Sequence, residues 1–600
     1  IETAKLDWDS EREWLTWSGV DADNDGFPDD ADSDGVPDGG GVPFRWDSLN
    51  TLQQAFLNTP PGDVPPATDG FGEDRLKYLR GNKYYEVTQG NVVGGSPSFR
   101  DRLTLKGSAY GLGDVVHSTP TVVGTPNSGY PDSLESAPYS SFKAQYADVD
   151  CSSGTKDREP ILYFGGNDGA LHGVSACDGA ERIAYVPRAV YPWLKELTSV
   201  DYAHRVYVDG APTVVDAYFG SDSSWHTVLV GTLAAGGPGV FALDVTDPSK
   251  FDESYADDVV LWDIVATPSV ADSDFEDLGY TFSQPAVVKA EGHGWVAVFG
   301  NGYHGGTPGN SKAVLYFVDI ETGKLLQKID FSTVDSASHG MNNGLSTVAP
   351  IDRDGDGDVD LIYAGDLNGN VWRVAATIPV GPPTFVQGTG FQTASSSLLY
   401  KAKNKDGAPQ PITSRMSVGY HPTSAVGRMV YFGTGKYYEP ADQDPLNAVQ
   451  YNTMYGIWDR DDPALRPSSV TNRNSNRLQQ QTIEYETAAD STDSFGGNTY
   501  QVRTVSDTPI TWALPNEACA ADKSCGWYLD LTDVGEKMVS TPILRGGRLI
   551  FVTTIPSQES CGSGGTGWLM ELCASNGGRC NYPVFDLNGD GLFDLQDNLA

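Results

Sequence analysis

The sequence predicts an all-β protein built as a β-propeller. Three observations carry that expectation. A three-strand pattern recurs six times; Gly (68) and Pro (37) are abundant; and 39% of the 600 residues are apolar, 11% aromatic, enough for a large core. The inner segments of each unit are near-continuous apolar runs, as expected of strands covered on both faces. Four-stranded units repeated radially make a propeller. A series of stacked β-sandwiches is the competing fold.

The first unit reads Ser118-Thr-Pro-Thr-Val-Val, Ile161-Leu-Tyr-Phe-Gly-Gly and Ala170-Leu-His-Gly-Val. The second reads Ala211-Pro-Thr-Val-Val, Thr227-Val-Leu-Val-Gly and Gly239-Val-Phe-Ala-Leu-Asp, with Val259-Val-Leu-Trp-Asp-Ile as a candidate fourth strand. The third runs from Ser283 through Val296-Ala-Val-Phe-Gly to Val314-Leu-Tyr-Phe-Val-Asp, and the fourth from Ser346 through Leu361-Ile-Tyr-Ala-Gly to Asn370-Val-Trp-Arg-Val. The fifth joins Arg415-Met-Ser-Val-Gly, Met429-Val-Tyr-Phe-Gly and Tyr455-Gly-Ile-Trp-Asp; the sixth joins Ser540-Thr-Pro-Ile-Leu, Leu549-Ile-Phe-Val-Thr and Gly567-Trp-Leu-Met-Glu. Pro opens several first strands, where it costs no central ladder bond. A seventh unit can be assembled only from poorly marked segments.

Residues 1–115 do not follow the repeat. Trp8, Trp14, Trp17 and a possible helix at Leu49–Leu57 suggest a small packed element, with Pro60-Pro61 and Pro65-Pro66 as a stiff connector. The expected division is an N-terminal region, 1–68, and a propeller, 69–600. Segments 375–411 and 460–510, rich in Ser, Thr, Asn and Asp, read as exposed insertions.

The 80 acidic and 40 basic side chains give a net charge of −40, which disfavours nucleic acid and bare anionic lipid as partners. It suits a secreted, cation-binding protein. No apolar run reaches the ~18–20 residues of a membrane span. The chain starts at Ile1 without a signal segment and is expected to be a mature or excised fragment. Of seven cysteines, Cys519/Cys525 and Cys573/Cys580 are close enough to staple local turns, and Cys151/Cys177 to staple two strands. Disulfides imply an oxidising compartment. Cys561 is the odd thiol, and a fully reduced set is the alternative.

The strongest chemical signal is oxygen ligands at alternating positions, followed by Gly. Asp352, Asp354, Asp356 and Asp360 fall at positions 1, 3, 5 and 9 of an EF-hand-type loop, with Gly357 at position 6 and the Asp358 carbonyl at position 7. Hard oxygen donors with several carboxylates favour Ca²⁺. No Glu stands at position 12, so Asp360 is the expected closing ligand. Two tandem loops precede the repeat: Asp21, Asp23, Asp25, Phe27 and Asp29, then Asp30, Asp32, Asp34, Val36 and Asp38. They resemble thrombospondin type 3 calcium repeats; an acidic linker is the alternative. The C-terminal set Asp586, Asn588, Asp590, Leu592 and Asp594, with Asp597 at position 12, resembles a dockerin-type loop.

No catalytic motif appears: there is no G-x-S-x-G elbow, H-E-x-x-H helix or phosphate-cradling loop. His172, His204 and His226 are expected in core or strand-end roles. The segments Leu112-Gly-Asp-Val-Val-His-Ser-Thr-Pro, Tyr163-Phe-Gly-Gly-Asn-Asp-Gly-Ala-Leu-His, Ala184-Tyr-Val-Pro-Arg, Val240-Phe-Ala-Leu-Asp-Val-Thr-Asp-Pro and Tyr363-Ala-Gly-Asp-Leu-Asn-Gly-Asn-Val-Trp-Arg resemble the PilY1 family over roughly residues 70–595. That resemblance implies a modified, quinoprotein-like propeller of seven blades. It also implies a type IV pilus tip adhesin and biogenesis factor, exported through the periplasm to the cell surface. Association with minor pilins is implied too, as is calcium at Asp352–Asp360 regulating pilus extension against retraction. The host or abiotic receptor is left open. Where family members carry an integrin-type Arg-Gly-Asp, this chain has Arg80-Gly81-Asn82. Two other functions compete: a secreted calcium-dependent carbohydrate or matrix binder, and a quinoprotein dehydrogenase-like enzyme. The enzyme reading lacks the adjacent-cysteine pair of that chemistry, so no enzyme is expected.

Overall fold

Each of the six sequence units is a separate sheet in the computed structural model. The structure describes residues 9–10, 12–19, 39–102, 104–105, 108–109, 112–152, 157–267, 270–271, 273–304, 312–333, 343–375, 398–424, 426–444, 451–460, 478–488, 492–495, 498–519, 522–557, 564–583, 585–593 and 597. Two compact units divide the chain. The first takes Ile1–Asn310, Val314–Ile329 and Asp352–Val359; the second takes Ser311–Ala313, Asp330–Ile351 and Asp360–Ala600.

In the first unit, sheet one has the order Gly39–Pro43, Trp14–Gly19, Glu181–Val186, Leu171–Ser175, Ile161–Gly165, Thr121–Val123. Sheet two runs Thr213–Phe219, Ser224–Thr232, Gly239–Asp244, Val260–Thr267, with Val270–Ala271 at its edge. Sheet three runs Ala286–Ala290, Gly294–Gly300, Val314–Asp319, Leu325–Asp330. The N-terminal strand is part of this architecture. Trp14–Gly19 lies parallel to Glu181–Val186 and buries Trp14, Leu15 and Trp17. Strands 14–19 and 39–43, read as a region apart from the repeat, therefore extend the first repeat sheet. The predicted helix forms at Thr51–Asn58. Asn50 and Gln53 exchange side-chain and backbone hydrogen bonds in a capping box, and the helix stops ahead of Pro60.

In the second unit, sheet four is Ala349–Ile351, Leu361–Gly365, Asn370–Ala375, Leu398–Lys401. Sheet five is Ser417–Tyr420, Arg428–Gly433, Thr453–Asp459, Gly526–Asp530, Gln479–Gln481, and sheet six is Ile543–Arg545, Arg548–Val552, Leu569–Cys573. The two polar insertions are not simply exposed loops. Leu398–Lys401 is the fourth strand of sheet four, and Gln479–Gln481 pairs parallel to Gly526–Asp530. The buried Gln481 amide explains the second case. It donates to Thr508 O and Asn576 O and accepts from Ser506 Oγ and Thr508 N, so a polar strand enters the core fully satisfied.

Cores are aromatic in both units. Trp14, Tyr163, Tyr185 and Trp262 are fully buried in the first, and Tyr363, Trp372 and Trp527 in the second. Cys151–Cys177, Cys519–Cys525 and Cys573–Cys580 are bridged; Cys561 lies outside the described residues. No helix among the described residues is long and apolar enough to cross a membrane.

Candidate metal centre

The Asp-rich loop follows strand Ala349–Ile351 and precedes Leu361–Gly365, which pair antiparallel through Ile351 and Leu361. It is thus the turn between the first two strands of sheet four. Its alternating side chains fold inward because each finds a backbone donor two to five residues on. Asp352 accepts from Gly355 N (2.7 Å) and from Gly357 N (2.9 Å); Asp354 accepts from Asp356 N and Asp356 from Asp358 N. Gly355 and Gly357 sit at φ +84° and +97°, a left-handed backbone that glycine adopts without strain. The result brings one potential ligand oxygen each of Asp352, Asp354 and Asp356 within 4.8 Å of the others, all three residues exposed.

Asp358 does something else. Its carboxylate is half-buried 3.7 Å from the Lys289 ammonium, which also contacts Glu135 (3.5 Å) and Leu134 O (3.2 Å). Val359 N donates to Lys289 O at 2.8 Å, so the loop's end is laid along the end of strand Ala286–Ala290. Burial lifts the Asp358 carboxyl above its ordinary value, against the pull of Lys289. A Cβ on Gly357 would meet Leu134 Cδ1 at 2.5 Å, so a larger residue there would have to displace that side chain as well as strain the φ. Asp360 opens the next strand, and its N–H donates to Ile351 O. Lys289, Glu135 and Leu134 escaped sequence reasoning because they are distant in the chain and carry no motif of their own.

The donor set fits calcium. Three carboxylates converge, the glycines leave the turn open, and the Asp358 side chain is engaged elsewhere, as expected if only its carbonyl is offered to a cation. The C-terminal loop repeats the same bonding. Asp586 accepts from Gly589 N, Asp590 N and Gly591 N, Asn588 from Asp590 N, and Asp590 from Leu592 N. The buried Asp597 turns back to accept from Leu587 N and Asn588 N, closing the loop where a position-12 ligand would. Asp594 lies outside the described residues, as do all N-terminal candidates: Asp21, Asp23, Asp25, Phe27, Asp29, Asp30, Asp32, Asp34, Val36 and Asp38.

The singled-out histidines are all held by carboxylates. His172 is fully buried, 3.0 Å from Asp168 and 3.3 Å from Glu181, and Glu181 in turn receives Arg12 and Trp14. Burial pulls the His172 pKa down, but the two carboxylates outweigh it and raise it to about 9. His226 spans Asp244 and Asp222. His204 is exposed beside Asp114, not in a core or strand-end position as expected. In Arg80-Gly81-Asn82 the guanidinium is buried and paired with Glu253, so the tripeptide presents no surface cation.

Comparison with known proteins places this geometry. The model of the PilY1 beta-propeller domain matches residues 112–494. The type IV pilus biogenesis factor PilY1 of Pseudomonas aeruginosa PAO1 is 36% identical over 579 residues, covering 93% of this chain and 45% of that protein. A PilY1 homolog of Xylella fastidiosa Temecula1 is 35% identical over 518 residues, 84% of this chain and 31% of that protein. The crystal structure of the Pseudomonas aeruginosa PilY1 C-terminal domain matches with a TM-score of 0.61 at 34% identity, over 79% of this chain and 90% of that one. The present chain spans less than half the length of these curated relatives. The chain has the β-propeller fold expected of its sequence.

Proposed function

Because this chain belongs to the PilY1 family, whose curated members are named type IV pilus biogenesis factors, we propose that it is the calcium-binding propeller of a pilus tip adhesin and biogenesis factor. Calcium in the 352–360 loop sets the balance of pilus extension against retraction. The observation that carries the reading is the convergence of Asp352, Asp354 and Asp356 within 4.8 Å on a loop pinned to the third sheet through Asp358 and Lys289.

Calcium supplies two positive charges and oxygen coordination. The chain's own residues do the rest. Asp352, Asp354 and Asp356 hold the ion, the Asp358 carbonyl and Asp360 complete the set, and Gly355 and Gly357 let the turn close around it. The partners are minor pilins at the pilus tip, the location is the cell surface, and no reaction is catalysed. The Asp586–Asp597 loop takes calcium by the same bonding.

The test is surface pilus counts and twitching in strains carrying the full-length protein with Asp352→Asn or Asp358→Asn. The first change should alter pilus display and the second should leave it near wild type. Unchanged pili with Asp352→Asn, together with glycan-array binding by the wild-type propeller, would favour a carbohydrate or matrix binder instead.

A further inference from the structure

Sheet six has three strands where sheets three and four have four. Its last strand, Leu569–Cys573, pairs antiparallel with Arg548–Val552 in the register Leu549↔Leu572, Phe551↔Met570. Thr553 N donates to Trp568 O, and Ala574 N donates to Gly547 O. These two bonds fix the phase of the ladder. Trp568, Met570, Leu572 and Ala574 turn their main chain toward Arg548–Val552, and Leu569, Glu571 and Cys573 turn theirs away. Cys573 N is taken by Gly578 O. Among the described residues, no main-chain partner stands opposite Leu569 and Glu571.

That bare edge is not on open surface. Leu569 and Glu571 line a cleft of about 750 Å³. The segment Tyr500–Val505, which includes strand Arg503–Val505, lines the same cleft, together with Trp568, Tyr582, Phe585 and Phe593. Tyr582 is 72% exposed, Phe593 56% and Leu569 55%. An exposed aromatic cluster beside an unpaired strand edge is costly to leave uncovered.

We propose that this cleft receives an extended segment of a partner protein. The segment adds to sheet six as its fourth strand. Alternating N–H and C=O groups on Leu569 and Glu571 are recognised by another backbone, and the aromatic walls receive apolar side chains from every second residue of that segment. The inference is independent of calcium in the 352–360 loop, although Asp586 and Asp597 of the C-terminal Asp loop also line the cleft.

The probe is a ten-residue peptide of alternating threonine and valine with terminal lysines, titrated onto the whole chain by fluorescence anisotropy. Binding should slow amide exchange at Leu569 and Glu571. Leu569→Pro removes one outward N–H and no bond to the neighbouring strand, so it should weaken binding at least tenfold. Leu569→Ala keeps the backbone and should stay within about threefold. A peptide N-methylated at alternate residues tests the same point on the wild-type protein, whatever Leu569→Pro does to folding; it should also lose at least tenfold. No binding at millimolar peptide, equal binding of the N-methylated peptide, or protection away from Leu569–Glu571 would overturn the proposal. So would an acidic oligosaccharide that protects these amides when the peptide does not, since the cleft would then be a saccharide site.

Discussion

Replacing Asp352 by asparagine separates the two demands on the central loop. The carboxylate accepts Gly355 N and Gly357 N, and it is one of three whose oxygens lie within 4.8 Å. At 4.8 Å in water, each like-charge pair repels by roughly 0.9 kcal/mol, so three pairs oppose the ordered loop by roughly 2.6 kcal/mol. Asp352→Asn removes two of those pairs, relieving roughly 1.7 kcal/mol, and keeps a carbonyl oxygen for a backbone donor. Calcium at a hundredfold excess over its dissociation constant stabilises the wild-type loop by about 2.7 kcal/mol. The variant should therefore order its loop better than wild type in chelator and worse in calcium. Amide exchange across 352–359, measured by mass spectrometry with and without calcium, reads this crossing directly. Asp358→Asn should behave differently: calcium protection stays, because that carboxylate faces Lys289. Full calcium protection in Asp352→Asn, or none in Asp358→Asn, would refute the ligand assignment.

Two further outcomes follow from the first unit. The raised His172 pKa stabilises the fold fully below the ordinary value of 6.5, and that stability, on the order of 3 kcal/mol, is lost as pH rises through about 9. Glu181, held far below its ordinary value chiefly by Arg12 against the cost of burial, contributes stability above pH 4.5 that is lost in acid. The unfolding midpoint should thus be highest between about pH 4.5 and 6.5, and the gap between wild type and His172→Gln should close by pH 10; a gap independent of pH would contradict this. Cys151→Ser opens a bridge spanning 26 residues and should cost about 3.5 kcal/mol by loop entropy, seen as an earlier denaturant midpoint; reducing agent, which also opens Cys519–Cys525 and Cys573–Cys580, should lower the wild-type midpoint at least as far.

The sheets were legible because apolar runs and tight glycine turns are local signals. Leu361–Gly365 and Arg428–Gly433 announce themselves in five or six residues. What lay beyond local pattern was missed. Gln479–Gln481 carries no apolar run, and its burial depends on Ser506, Thr508 and Asn576, known only once the chain has folded. Trp14–Gly19 carries tryptophans that signal burial, but nothing in the sequence names Glu181–Val186 as its neighbour. The Asp352–Asp354–Asp356 cluster was legible because its carboxylates and its turn are contiguous; Asp360 is not among the three that converge, and Lys289 is more than sixty residues away.

The two described Asp loops differ in how their internal charge is offset. Both use the first Asp to collect N–H groups from residues three and five positions on. A carboxylate oxygen has lone pairs to spare after one such bond, so this bonding orients the ligands without exhausting them. In the C-terminal loop position 3 is an amide, Asn588, which donates to Asp590 and relieves charge within the loop. Asp597 closes that loop from the far side by accepting two backbone donors. The central loop has three carboxylates at positions 1, 3 and 5 and no such internal donor among them. Its other end, Asp358 and Val359, is tied to Lys289 by charge and by a backbone bond. One half is therefore fixed by the protein, and the other is opposed by its own charge. If the loop takes calcium as proposed, occupancy would change the order of residues 352–357 and leave the anchor at Lys289 in place, so the signal would be confined to one exposed turn.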